Sequence, residues 1–172
     1  EQPAPEEPAP GQPAPETPGF EHPFNGQFYL PFTNGTSAPV SQGPGGSFSH
    51  NNKNNKDAID IALPQGTPVV APGPGIIRVA SDRGDGYGNT VYIDHGNNRC
   101  TQLAHLSEIG VGVGQQVNVG ERVGAIGSTG QSTGPHLHWN IVACNGYESL
   151  EVPNTVAVSY THLRAHETRG NL

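Results

Sequence analysis

The stretch STGQSTGPHLHWNIV, Ser128–Val142, sets two imidazoles two residues apart at the head of an apolar, β-branched run. On a β-strand side chains alternate between faces, so His136 and His138 share one face while Leu137 and Trp139 take the other. A strand with one polar and one apolar face belongs in a sheet that covers a core. The histidine pair by itself decorates a surface as readily as it binds a metal, so its chemistry has to be read from the rest of the chain.

Working outward, the same texture continues in both directions. From Ile59 onward short β-branched runs alternate with glycine-bearing turns: DIALPQGTPVVAPGPGIIRVASD, GNTVYIDHGNN, CTQLAHLS, QQVNVGERVGAIGSTG and HLHWNIVACNGYESLEV. Strands of this length with regular turn signals predict an all-β domain. No segment carries a 3.6-residue apolar period, so no helix is expected. GTPVVAPGPGIIRVA and VGVGQQVNVGERVGAIGSTG share one plan, a strand, a Gly-marked turn and a returning strand, as if one hairpin had been used twice. The expected architecture is an antiparallel β-sandwich over residues 28–157.

The ends differ from this middle. Residues 1–27 are dominated by a Pro/Glu/Ala repeat that offers too little apolar surface to offset the entropy of ordering, and read as an extended, disordered linker. Of the formal net charge of −7, five charges come from Glu1, Glu6, Glu7, Glu16 and Glu21, and no basic residue precedes Lys53. The remainder holds no Lys/Arg stripe of the kind that nucleic-acid binding requires, so nucleic acid is excluded as a partner. No apolar run approaches the ~20 residues that span a bilayer. The chain begins at Glu1 and has no Met, so its start and any leader are expected upstream. At the other end VSYTHLRAHET, Val158–Thr168, resembles a translated sequencing adapter, so residues 158–172 are expected to be a non-native tail.

Between linker and strands, Leu30–Asp60 is rich in Gly, Asn and Ser and is expected to be a loop around the mouth of a site rather than part of the core. The groups able to carry chemistry cluster after it. His50 closes the glycine-rich lead-in, Asp60 sits in the first apolar strand, His105 ends CTQLAHLS, and His136 and His138 form the pair. A hydrolytic zinc takes three protein ligands and leaves a fourth position open, a set that two His and one Asp supply. Two imidazoles then remain for proton transfer and charge stabilisation.

Taken together, SHNNKNNKDAIDIALPQGTPVVAP, YGNTVYIDHG and LAHLSEIGVGVGQQVNVGERVGAIGSTGQSTGPHLHW resemble the lysostaphin/LytM type of zinc endopeptidases that cut bacterial peptidoglycan, across most of residues 28–152. That resemblance implies zinc (Zn2+) held by His50, Asp60 and His138, with His136 and His105 as general base and stabiliser of the tetrahedral intermediate. It also implies the duplicated hybrid motif, an antiparallel β-sandwich with a narrow groove, and a monomer acting outside the cytoplasm on a peptidoglycan peptide. Many members place the first ligand where this chain has Lys56, and His50 fits a longer-loop variant; a frequent Tyr is replaced by Leu103.

Other histidines are discounted. His22, in the spacer, and His95, in the turn of IDHGNN, are expected to be solvated. His162 and His166 imitate the spacing of a helical zinc motif, but Leu163 stands where that motif needs Glu, and both fall in the adapter-like tail. Cys100 and Cys144 are either two buried thiols or, in an exported protein, a disulfide. Relatives of this fold that lose ligands serve as wall-binding activators of other hydrolases, an alternative that retention of all five site residues argues against. A biotinyl-type carrier would need a Lys at the turns, where none occurs.

Overall fold

A computed structural model of the chain describes residues 24–33 and 35–151. The first 23 residues with His22, and residues 152–172 with the adapter-like tail, His162 and His166, lie outside the described residues. The strands in chain order are β1 (Val40–Gln42), β2 (Ile59–Ile61), β3 (Pro68–Val70), β4 (Gly75–Asp82), β5 (Asn89–Asp94) and β6 (Arg99–Leu106). They continue as β7 (Glu108–Ile109), β8 (Gln116–Val117), β9 (Arg122–Ala125), β10 (Leu137–Ala143) and β11 (Ser149–Leu150). Every pairing is antiparallel. The expected all-β, antiparallel class is the class observed.

One sheet runs β1-β2-β10-β6-β5-β4-β8, with β11 on β10 beyond the end of β2; the second runs β3-β9-β7. The alternation read from HLHWNIV holds. Leu137, Trp139 and Ile141 join Leu103, Val91 and Ile93 in the main core, while His138 and Asn140 occupy the opposite face. That opposite face is itself covered, which is why β10 is buried along nearly its whole length.

The duplicated segments do not fold as hairpins. β3 pairs with β9 and β4 with β8, so each Gly-marked turn is a corner that passes the chain from one sheet to the other. The corners are tied to each other, with Ala71 N–H donating to Glu121 O at 2.8 Å and Gly120 N–H to Ala71 O at 2.9 Å. Pairing across the repeat satisfies the same backbone groups as a local hairpin, and also closes both sheets over one core.

The lead-in also departs from expectation. Phe28 and Phe32 are buried in the main core, with Phe24 and Leu30 packed against it, and β1 adds an edge to the large sheet. Aromatic burial of this size outweighs the polar composition around it. Only the later part of the segment forms the rim of a site. Cys100 and Cys144 form a disulfide between the start of β6 and the residue after β10.

Candidate metal centre and groove

The site is assembled on the covered face of the large sheet. His138 on β10 stands directly opposite Asp60 on β2 and Ala104 on β6. Opposed residues of an antiparallel pair share a face and bring their side chains together. His138 Nδ1 accordingly lies 2.9 Å from Asp60 Oδ1. Ala104 presents only a methyl group to that row.

His50 arrives from the lead-in, which is fastened to the sheet by polar contacts. Asn140 Nδ2 donates to Asn54 O at 2.8 Å, Ser149 N–H to Lys53 O at 2.8 Å, and Asp57 N–H to Ser149 Oγ at 3.1 Å. His50 itself is fully buried, and its Nε2 stands 3.2 Å from Asp60 Oδ1. The distance is that of an ion pair, but the alignment is not that of a hydrogen bond, and among the described residues His50 Nε2 and His138 Nε2 both lack a hydrogen-bond partner.

The ring tautomers follow from what the other nitrogens touch. Nδ1 of His50 meets Gly43 O at 3.0 Å, Nδ1 of His105 meets Thr129 O at 2.8 Å, and Nδ1 of His136 meets Gly134 O at 2.8 Å. A carbonyl oxygen only accepts, so each of these Nδ1 atoms carries the hydrogen, and each neutral ring presents a bare lone pair at Nε2. Ligating histidines are oriented by this kind of second hydrogen bond. His95 provides the contrast. Its Nδ1 donates to Pro74 O and its Nε2 accepts from Thr101 Oγ1, both at 2.7 Å, beneath Phe24 and Phe28. Far from being solvated as its turn position predicts, His95 is buried with both nitrogens satisfied, and serves packing alone.

Electrostatics separates the site histidines. Burial pushes the Asp60 carboxyl up, but the His138 hydrogen bond and the adjacent His50 ring overcome it and hold Asp60 well below the usual carboxylate range. Burial lowers His138 despite its carboxylate partner, whereas for His50 the pull of Asp60 and the Gly43 carbonyl outweighs burial and raises it. His105 is driven by burial down to about 4 and is therefore neutral at physiological pH. His136 is only partly buried, with its Nε2 3.9 Å from Asp60 Oδ1 and its ring 4.7 Å from that of His105.

His105 reaches the groove by a device that strand alternation does not reveal. Ala104 faces the groove, so a regular strand would turn His105 into the core beside Leu103. Instead the β5–β6 register shifts between Asn89 and Val91, and His105 takes φ 61°. The extra residue forms a bulge that aims the imidazole at the site and returns Leu106 to the core. Left-handed backbone at a non-glycine residue is costly, and such strain concentrates at functional positions.

His136 is placed by the glycine-rich loop before β10. Gly130 has φ 72°, and a Cβ there would sit 2.4 Å from both Gly86 O and Gly88 N. Only glycine permits this contact of two backbones, which fixes the loop of Thr129–His136 against the loop that carries Tyr87. The Tyr87 ring stands 5.2 Å from that of His138 and was not legible as a site residue from the sequence.

The ligand atoms of His50, Asp60 and His138 all lie within 4.8 Å of one another. Atoms sharing a tetrahedral ion at bonds of ~2.0–2.1 Å are roughly 3.4 Å apart, so small adjustments suffice. Two imidazoles and a carboxylate suit zinc, and the partnerless Nε2 of His50 has the character of an unused ligand atom. The residues present fit the ion that the resemblance implies.

Comparison with known proteins finds a family match over the strands that carry Asp60, His105 and His138. The profile described as peptidase family M23 matches residues 54–152, a span that starts just after His50. The peptidoglycan DD-endopeptidase ShyA of Vibrio cholerae is 48% identical over 87 residues, 50% of this chain but 20% of that relative's length. Among solved structures, the catalytic domain of the antimicrobial peptidase lysostaphin from Staphylococcus simulans superimposes with a TM-score of 0.53 at 28% identity, covering 73% of this chain and 86% of that one. A zinc-containing peptidase from Vibrio cholerae gives 0.61 at 25% identity, over 76% of this chain and 41% of the other.

Proposed function

The chain belongs to peptidase family M23, and on that premise we propose that it is a zinc-dependent endopeptidase hydrolysing peptide bonds in the stem peptides or cross-bridges of bacterial peptidoglycan. The observation that carries the reading is the convergence of His50, Asp60 and His138 with two further imidazoles whose Nε2 atoms are bare. His50, Asp60 and His138 would hold the ion. When bound, zinc supplies Lewis acidity toward water and toward the scissile carbonyl.

His136 takes the proton of the attacking water at Nε2, and its Nδ1–H bond to Gly134 O holds the ring in place while it does so. His105, neutral and anchored to Thr129 O, is the second acceptor. Its stabilisation of a developing oxyanion from Nε2 requires prior uptake of a proton, because its only hydrogen in the neutral form is committed at Nδ1. An extended substrate lies along the groove over β10 and β6. The disulfide supports a site of action outside the reducing cytoplasm.

The test combines metal analysis with dye release from purified sacculi. His138→Ala and Asp60→Ala should lose zinc and hydrolysis together, whereas His136→Ala should retain zinc and lose turnover by at least about a hundredfold. Unchanged metal content in the first two variants would reject the ligand assignment.

A further inference from the structure

One arm of the groove leads away from the metal row and is built from residues the mechanism does not use. Its floor is the row Asn140–Gln102–Tyr92 across β10, β6 and β5, two residues along the strand from His138, roughly 7 Å. Asn140 is committed on both atoms, to Asn54 O and Ser149 Oγ. Gln102 is not: it is 1% exposed, lines the groove, and its Nε2 has no hydrogen-bond partner among the described residues.

The arm is walled by a prepared cation. The Arg83 guanidinium carbon lies 4.7 Å from the centre of the Tyr147 ring and 5.7 Å from that of Tyr92. Its Nε faces Asp85 Oδ2 at 3.4 Å, and no described residue pairs with its two Nη nitrogens. Lys53 also lines the groove, so the charged side chains outside the metal row are Arg83, Lys53 and Asp85, a positive excess in a chain of net −7. A guanidinium held against aromatic rings is a preorganised fork for a carboxylate.

We infer that this arm is a specificity subsite in which Arg83, with Gln102 on the floor, binds a free carboxylate of the substrate peptide on the order of two residues from the scissile bond. The inference rests on the peptidase reading for its substrate. Gln102 supplies N–H to one carboxylate oxygen and Arg83 the compensating charge.

Native sacculi, and sacculi whose carboxylates have been converted to amides with carbodiimide and ammonia, serve as probes. Binding is read by co-sedimentation on ice in a His136→Ala background. Generic charge works against the expected result, since removing wall carboxylates relieves repulsion of an acidic chain. The parent should nevertheless bind amidated sacculi about tenfold more weakly. Arg83→Gln should bind both weakly with a ratio near one, and Arg83→Lys should be intermediate.

Equal affinity of the parent for both sacculi, or an Arg83→Gln chain that discriminates as well as its parent, would overturn the subsite. With His136 restored, Arg83→Gln should raise KM on native sacculi and leave kcat in place; a fall in kcat alone also overturns it. Discrimination in binding by a wild-type chain that never cuts would uphold the subsite and remove the peptidase.

Discussion

His95 sets an acid limit on the fold, and the size of that limit can be worked from its surroundings. With both nitrogens engaged and two phenylalanine rings above it, burial lowers its pKa to about 4, against ~6.5 in an unfolded chain. Between those values the unfolded chain binds a proton that the folded one refuses. The contribution of His95 is therefore complete above ~6.5, declines as pH falls, and is fully lost below about 4, a difference of about 3 kcal/mol. Urea unfolding followed by the fluorescence of Trp139, the single tryptophan, gives the measurement, in chelator so that metal loss does not enter. His95→Asn keeps a donor for Pro74 O but has no charge to acquire. It should be less stable than the parent at neutral pH, and its deficit should shrink by about 3 kcal/mol on going to pH ~4. Parallel pH dependences in parent and variant would refute the reasoning.

Three other outcomes are expected. Replacing Cys100 and Cys144 by Ser opens a loop of sequence separation 44 and should cost about 4 kcal/mol in chemical denaturation; a loss under 1 kcal/mol would mean the two strands hold that edge unaided. Gly130→Ala forces a Cβ against the backbone of Gly86 and Gly88. It should lower stability by about 2 kcal/mol and depress kcat through displacement of His136 while zinc content stays normal. Zinc at a hundredfold its dissociation constant should stabilise the chain by about 2.7 kcal/mol, raising the midpoint of thermal unfolding. His50→Ala should abolish that shift, and its persistence would show that the lead-in histidine is not a ligand.

How much of this could be read beforehand depends on the range of the interaction that decides each feature. The facing of His138 against the core of Leu137 and Trp139 follows from strand alternation, which is local. Asp60 was legible for the same reason, as the polar member of an apolar strand. His50 sits in a loop without periodicity, where it stood out only as an imidazole ahead of the first apolar strand, and the family resemblance singled it out as a ligand. The orientation of His105 was hidden because alternation predicts the opposite face, and the bulge that reverses it depends on pairing with β5. The repeats looked like hairpins since a turn is visible locally, whereas the partner of each strand is chosen by closure of the core. His95 was misread because a turn position suggests exposure, and the segment of Phe24–Phe32 that covers it lies far away in sequence.

The exchange of strands at the two corners makes β9 a keystone. It is the middle strand of the small sheet, and both β3 and β7 depend on it for their pairing. Until Arg122–Ala125 have been synthesised, β3 has no strand to pair with, so the small sheet can form only after β4 to β8 have been made. A frameshift upstream of that strand would therefore remove the small sheet's middle strand together with the histidine-bearing loop that follows it.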